Sequence, residues 1–302
     1  MKKVIVTGAG GFVGRALTKK LSADCFVYAL AYSEKEKNNI PNNPNTKILV
    51  GDLSDPNSFV CEINDDIDIV YHLAWCGIST AEYKDINVQK RNFELSINAV
   101  KLAEKTRAKR FVFVGSNQEY VYGKNSIDNE IVNASIYGVC KRCCNQLCQV
   151  IAKDKMEYVS TAFTNVFGVG DYSKRTANVF IHKMLSGESL DLIEGNNLYD
   201  WTYIDDAVDG LIAAGFCGKS DKQYYIGNRQ LRTFREIMIN VSQVIGSNVE
   251  LNFGRYTDTT YTDYLKFDLD ALYNDTGFEC KADFRESILK TAEWVKCLDW
   301  EV

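Results

Sequence analysis

Tyr137 and Lys141, in the run YGVCK, stand four residues apart in a segment whose pattern predicts a helix, so they share one face. A phenol is a poor acid or base near neutrality because its ordinary pKa is about 10, and a nearby ammonium favours the phenolate. Such a pair can give or take a proton at a carbinol or carbonyl oxygen. Taken alone, it is also an ordinary Tyr–Lys helix contact. Ser116 adds a third part. It follows the apolar run FVFVG, and a hydroxyl there can polarise the oxygen that Tyr137 protonates; its plainer role is a turn or cap residue.

These three residues need elements that set a strand end beside a helix. The start of the chain shows what kind. Residues 2–14, KKVIVTGAGGFVG, read as strand, glycine turn and helix. Val4, Ile5 and Val6 form a β-branched run, Thr7 and Gly8 end it, and Phe12, Val13, Ala16, Leu17 and Leu21 recur at helical spacing. Gly8 permits the turn, and Gly11 lets backbone N–H groups approach a pyrophosphate. Gly14 lets the helix pack on the strand, and the helix N-terminus faces the anion. The spacing is G-x-x-G-x-x-G, with Val13 where the usual dinucleotide fingerprint has its third glycine. A bound nicotinamide would carry the hydride that complements the proton of Tyr137.

The first half alternates strand and helix. Strands are expected at 2–7, 25–31, 46–50, 67–73 and 109–115, helices at 12–22, 56–64, 86–107 and 136–153, and a sixth strand near 157–163. Apolar strands between amphipathic helices imply a doubly wound, Rossmann-like parallel sheet covered on both faces. Its ligand would lie at the carboxyl ends of the strands, where the loops after Val6, Leu73 and Val114 converge. Beyond about residue 165 the rhythm loosens, with helices expected at 174–187, 205–217, 233–245 and 284–297. Short strands are expected near 189–193, 199–204, 223–226 and 249–253. This gives a dinucleotide-binding domain over 1–164 and a smaller, interleaved α/β substrate domain over 165–302, with about 199–228 returning to the first. A crevice between them is the expected small-molecule site.

Composition narrows the class further. The chain has 302 residues, enough for one large core or two domains sharing one, with 46% apolar and 25% charged residues. A net charge of −5 argues against nucleic-acid binding, and no apolar run is long enough to span a membrane. The first strand begins at Lys2, leaving no room for a signal peptide, so the ten cysteines read as reduced thiols of a cytoplasmic protein. Cys140, Cys143, Cys144 and Cys148 fall on one expected helix, which cannot easily wrap four thiolates around a tetrahedral ion. His72 and His182 lie far away in sequence, and no metal is expected.

Gly8, Gly11 and Gly14, Ser116, and the Tyr137/Lys141 pair together resemble the extended short-chain dehydrogenase/reductases that modify nucleotide sugars, the epimerase/dehydratase group. The resemblance runs nearly the whole length. It implies catalytic roles for Ser116, Tyr137 and Lys141, with Tyr137 and Lys141 also touching the cofactor. GDLSD at 51–55 is similar to the family's adenine-side loop, implying contacts from Asp52 and Leu53. HLAW at 72–75 resembles its fourth-strand motif, placing Leu73 and Ala74 beside the cofactor, and Asn92 matches the asparagine of the next helix. Phe12 and Val13 join the glycine turn. NVFGVG at 165–170 and YDWTYIDDA at 199–207 resemble substrate-domain signatures. Ser116, Asn117, Asn165, Asn178, Val179 and Arg255 are then the expected substrate contacts, Arg255 on the diphosphate. The family's usual arginine before the Asp-aromatic pair is Tyr199 here.

The departures from the family's pattern shape the expected reaction. The 4,6-dehydratases carry an Asp-Glu pair after the active-site hydroxyl, where this chain has Asn117 and Gln118. Amides cannot exchange protons as carboxylic acids do, which argues against 4,6-dehydration unless a shifted loop brings in Glu119. The pattern is most like reductases of 4-keto-6-deoxy nucleotide sugars of the CDP-abequose synthase type. A UDP-hexose 4-epimerase with tightly bound NAD is the alternative. A cofactor-sensing or scaffold protein would be expected to have lost one of the three catalytic residues. Ala31 stands where an NAD enzyme of this fold puts its ribose-binding acid, and Ser33 with Lys35 can hold a 2′-phosphate, so NADP(H) is favoured over NAD(H), with Glu34 able to serve NAD if the loop folds back. The family also implies a homodimer.

Overall fold

Near-continuous apolar runs fold as strands buried on both faces, because alternate residues point to opposite sides of a sheet. The computed structural model describes residues 1–78, 82–123, 135–257 and 260–300. Its main sheet holds seven strands: β1 (Lys2–Thr7), β2 (Cys25–Ala31), β3 (Thr46–Val50), β4 (Ile69–His72), β5 (Arg110–Ser116), β6 (Glu157–Phe163) and β7 (Lys222–Ile226). All neighbours pair in parallel, in the order β7-β6-β5-β4-β1-β2-β3. In β1, Val4 and Val6 enter one core while Ile5 enters the other. Strand order reverses between β1 and β4, which makes their carboxyl ends the crevice of the sheet.

Eight helices matter here: α1 (Phe12–Leu21), α2 (Glu34–Lys37), α3 (Ile86–Lys105), α4 (Ile136–Ala152), α5 (Thr176–Leu185), α6 (Ile204–Cys217), α7 (Phe234–Ile245) and α8 (Phe284–Lys296). Helices α3 and α4 pack together on one face of the sheet, and α1 packs with α6 on the other. In α4 the cysteines divide by face. Cys140, Cys144 and Cys148 are buried, the last two in the core beneath α3, and Cys143 is half-buried.

Some boundaries differ from expectation. The helix expected over 56–64 closes at Val60, because Glu62 and Ile63 tighten into bonds three residues back to Phe59 and Val60, which buries Phe59 and Ile63. The strand expected over 199–204 divides. Leu198–Tyr199 pairs antiparallel with Arg232–Thr233, while Trp201–Tyr203 pairs with Asn165–Phe167. The strand at 249–253 extends as Leu251–Tyr256 and pairs in parallel with Leu190–Ile193. Helix α2 was not expected at all. No helix among the described residues is long and apolar enough to cross a membrane.

Candidate active site

The glycine turn comes first, because it fixes where everything else stands. Gly8 has φ +67°, and a Cβ there would meet the Ala74 amide nitrogen at 2.8 Å, so the loops after β1 and β4 touch. At Gly14 a Cβ would overlap the Gly8 carbonyl, which sets α1 hard against the turn. Gly11 is the N-cap of α1 and supplies no side chain, and the first turn carries no acidic residue. The first peptide N–H groups of α1 are therefore free of side-chain caps, as an anion site requires. The Ala9 N–H donates to the Leu30 carbonyl at 3.1 Å, tying the turn to the end of β2. Phe12 and Val13 are half-buried against the core behind it. These residues fit a dinucleotide pyrophosphate.

The loop after β4 is held from two sides. The Thr7 hydroxyl accepts from the Leu73 and Ala74 amides at 3.2 and 3.1 Å. Asn92 of α3 donates to the Cys76 carbonyl at 3.0 Å and accepts from its N–H at 2.8 Å. Asn92 thus shapes the cofactor-side loop. His72 lies beneath, its Nδ1 2.9 Å from the Thr7 hydroxyl and its Nε2 3.2 Å from that of Ser96. Burial, reinforced by Lys141, lowers its pKa to about 3, so it is a neutral core residue. On the adenine side, Leu53 is buried in the core, and Asp52 meets Arg91 at 2.8 Å. Ala31 is buried, Ser33 caps α2, and Lys35 is exposed.

The structure brings Ser116, Tyr137 and Lys141 to one place. Ser116 ends β5, and Tyr137 stands in the first turn of α4, near enough for the Ser116 hydroxyl to favour its phenolate. Ser135 caps that helix by accepting from the Gly138 N–H at 3.1 Å, which fixes the turn carrying Tyr137. The Tyr137 ring stacks on Tyr83 at 4.5 Å and meets Trp75 edge-on at 5.7 Å. Lys141 is 5% exposed, its ammonium 3.8 Å above the Trp75 ring centroid and 5.2 Å from that of Phe113.

Here one electrostatic expectation fails. Lys141 does not pull the Tyr137 pKa down. Burial, with Tyr83 second, raises it well above the ordinary phenol value, and the Ser116 hydroxyl opposes this without reversing it. Burial also lowers Lys141 to about 8, while Glu119 is the charge that most supports the ammonium. The phenol is held protonated, the form that an acid needs. Trp75 and Tyr83 were the residues missed. Trp75 was legible in HLAW but had no assigned role, and Tyr83 reaches the site from a turn at Glu82–Lys84.

Glu119 faces away from this chemistry. Its Oε1 accepts from the Ser116 N–H at 2.8 Å and its Oε2 from Asn145 at 2.9 Å, and burial raises its pKa against those bonds. It braces Ser116 from beneath the strand end. The amide of Asn117 donates to the Thr262 hydroxyl at 3.2 Å, and the Ser116 hydroxyl accepts from the Gln118 N–H at 3.2 Å.

The remaining expected substrate contacts scatter. Asn165 donates weakly to the Asp200 carbonyl at 3.4 Å. Asn178 is fully buried and ties the Asp171 and Ser173 carbonyls at 3.0 and 2.9 Å, while Val179 is half-buried behind it. Arg255 is exposed on its strand. Opposite Tyr199, where the family's arginine is missing, the cross-strand residue is Arg232, whose guanidinium lies 4.3 Å from the Phe284 ring. Asp200 is buried and accepts from the Tyr225 hydroxyl and both Asn228 nitrogens.

A seven-stranded parallel sheet, a glycine turn at its switch point and a Ser-Tyr-Lys set at its edge define a Rossmann-type dinucleotide enzyme fold. The chain belongs to the NAD dependent epimerase/dehydratase family, whose model matches residues 4–227. It is 25% identical over 268 residues to UDP-N-acetyl-alpha-D-glucosaminuronate decarboxylase of Bacillus cytotoxicus, covering 83% of this chain and 82% of that one. It is 23% identical to CDP-abequose synthase of Yersinia pseudotuberculosis, over 84% and 88% of the two chains. An epimerase from Methanothermobacter thermautotrophicus superposes with a TM-score of 0.79 at 23% identity, covering 98% of this chain and 92% of that one. UDP-glucuronic acid 4-epimerase from Bacillus cereus, solved with NAD, gives 0.77 at 21% identity, over 97% and 96%.

Proposed function

We propose that the protein reduces the C4 carbonyl of a nucleotide-linked 4-keto-6-deoxyhexose, with NAD(P)H as reductant. The observation that carries this reading is the buried, protonated Tyr137 phenol beside Ser116, with amides at 117 and 118 and the Glu119 carboxylate spent beneath the strand. That set can protonate an oxygen but has no second carboxylate to eliminate water. When bound, the dinucleotide supplies the hydride. Tyr137 gives its proton to the carbonyl oxygen, and Ser116 donates a hydrogen bond to the same oxygen. Lys141, one turn further along α4, would hold the cofactor ribose with its ammonium. Arg255 and Asn165 stand on the substrate half, the first for the diphosphate. We take the active form to be a cytoplasmic homodimer.

The test is cofactor stoichiometry. Net consumption of reduced cofactor with a 4-keto sugar nucleotide, and no interconversion of UDP-glucose and UDP-galactose, supports the reductase. Catalytic interconversion with retained NAD(H) would replace it with a 4-epimerase.

A further inference from the structure

We propose that Glu36 takes over the role of the acid missing at position 31 and makes the glycine turn select NAD(H) over NADP(H). The inference rests on the family's dinucleotide binding and not on the C4 reaction proposed above. Strand β2 ends at Ala31, which is 1% exposed and has no polar side chain to offer a ribose hydroxyl. The chain then reverses through Tyr32 and Ser33. Ser33 accepts from the Glu36 N–H at 3.3 Å and starts α2, and that single turn folds Glu36 back over the glycine loop. A Cβ placed on Gly10 would meet the Glu36 Cβ at 2.7 Å and its backbone carbonyl oxygen at 3.0 Å. Only a glycine at position 10 lets Glu36 sit so close.

The carboxylate is aimed as well as near. Glu36 Oε2 accepts from the Tyr32 N–H at 2.9 Å, the first peptide after β2. It therefore occupies the strip between the glycine turn and the end of β2. In this fold that strip receives the adenosine ribose, and an acid there binds the ribose hydroxyls. A 2′-phosphate would set a dianion against this carboxylate and would find the Tyr32 N–H already taken.

The cations nearest the strip are already paired or stand exposed to solvent. Arg91 pairs with Asp52 at 2.8 Å and lies 5.6 Å from the Tyr32 ring centroid. Lys37 pairs with Glu34 at 3.1 Å, and Lys35 is exposed. The Ser33 hydroxyl, one of the two groups expected to hold a 2′-phosphate, serves as the cap of α2. The NADP(H) preference rests on Ala31 together with Ser33 and Lys35. An acid reaches the same strip from one turn downstream.

Calorimetric titration with NADH and NADPH, with no sugar nucleotide present, tests this directly. NADH should bind on the order of 10- to 100-fold more tightly than NADPH, the size of a single close charge conflict at a partly exposed site. Glu36→Gln should narrow that ratio mainly by improving NADPH, and Glu36→Lys should reverse it, which keeps a variant in hand should one fail to fold. Equal or tighter binding of NADPH by the unaltered protein, binding of neither nucleotide, or a ratio unmoved by the substitutions would overturn the proposal. The titration contains no sugar, so loss of the C4 reading leaves its outcome untouched, and the reverse also holds.

Discussion

At the scale of single residues, the site is a pair of groups pushed toward their neutral forms by burial. Tyr137 is raised and Lys141 is lowered to about 8 from an ordinary 10.5. Tyr137→Phe should lower turnover at least a hundredfold while NADH affinity stays within about threefold, since the lost oxygen serves proton transfer. Steady-state kinetics and calorimetry on the same preparation check both halves. If the proposed reaction needs the Lys141 ammonium, kcat/KM should show a falling limb near pH 8, because the ammonium is lost as pH rises through its lowered pKa. In Lys141→Arg, whose guanidinium stays charged, the rate should drop and the limb disappear.

His72 makes a different prediction. Its folded pKa, about 3, lies below its ordinary 6.5, so between these values the unfolded chain binds the extra proton. Stability should therefore be at its full value above pH 6.5 and fall as the solution is acidified toward 3, at up to about 1.4 kcal/mol per pH unit for this one group. Denaturant midpoints across that range measure it, and His72→Asn should flatten the slope. Ser116, Tyr137 and Lys141 were legible because type and spacing along one helix and one strand end carry their chemistry. Tyr83 was not, since its stacking on Tyr137 crosses 54 positions of chain that no local pattern connects.

At the scale of elements, long amphipathic segments were readable and short ones were not. Helices α3, α4 and α7 carry enough periodic apolar residues to declare themselves. Helix α2, four residues of alternating charge, buries nothing and has no apolar period to read. Its cap at Ser33 was the available signal, a serine followed three residues later by a glutamate, and it places the residue on which cofactor choice turns. A stronger version of the same device starts α7. Thr233 accepts from the Glu236 N–H, and Glu236 accepts from the Thr233 N–H at 2.7 Å. Thr233→Ala should cost about 1 kcal/mol of stability, read by chemical denaturation, with activity unchanged.

At the scale of the whole molecule, the two halves meet across the end of α1. Arg15 donates to the Gly170 carbonyl, and its guanidinium lies 5.1 Å from the Tyr172 ring centroid, so the turn that would hold a pyrophosphate is braced by the loop after 165. On the opposite flank, α4 shows Val139, Leu147 and Val150 to solvent on one stripe, Val150 at 73% exposure. For the homodimer of the proposal, this stripe is the natural seam. Val150→Asp should then shift the mass measured by light scattering from dimer to monomer without disturbing the fold.

The indole of Trp75 has one further consequence. It stands over the Lys141 ammonium and edge-on to Tyr137, and it donates to Gln89 at 3.1 Å. The chain has only four tryptophans, and the other three, Trp201, Trp294 and Trp300, are held by different elements. An adjacent charge shifts the energy of an indole's excited state, so the emission of Trp75 should change colour as Lys141 gains or loses its proton. The candidate site would then carry its own optical indicator of protonation, read without label, substrate or turnover.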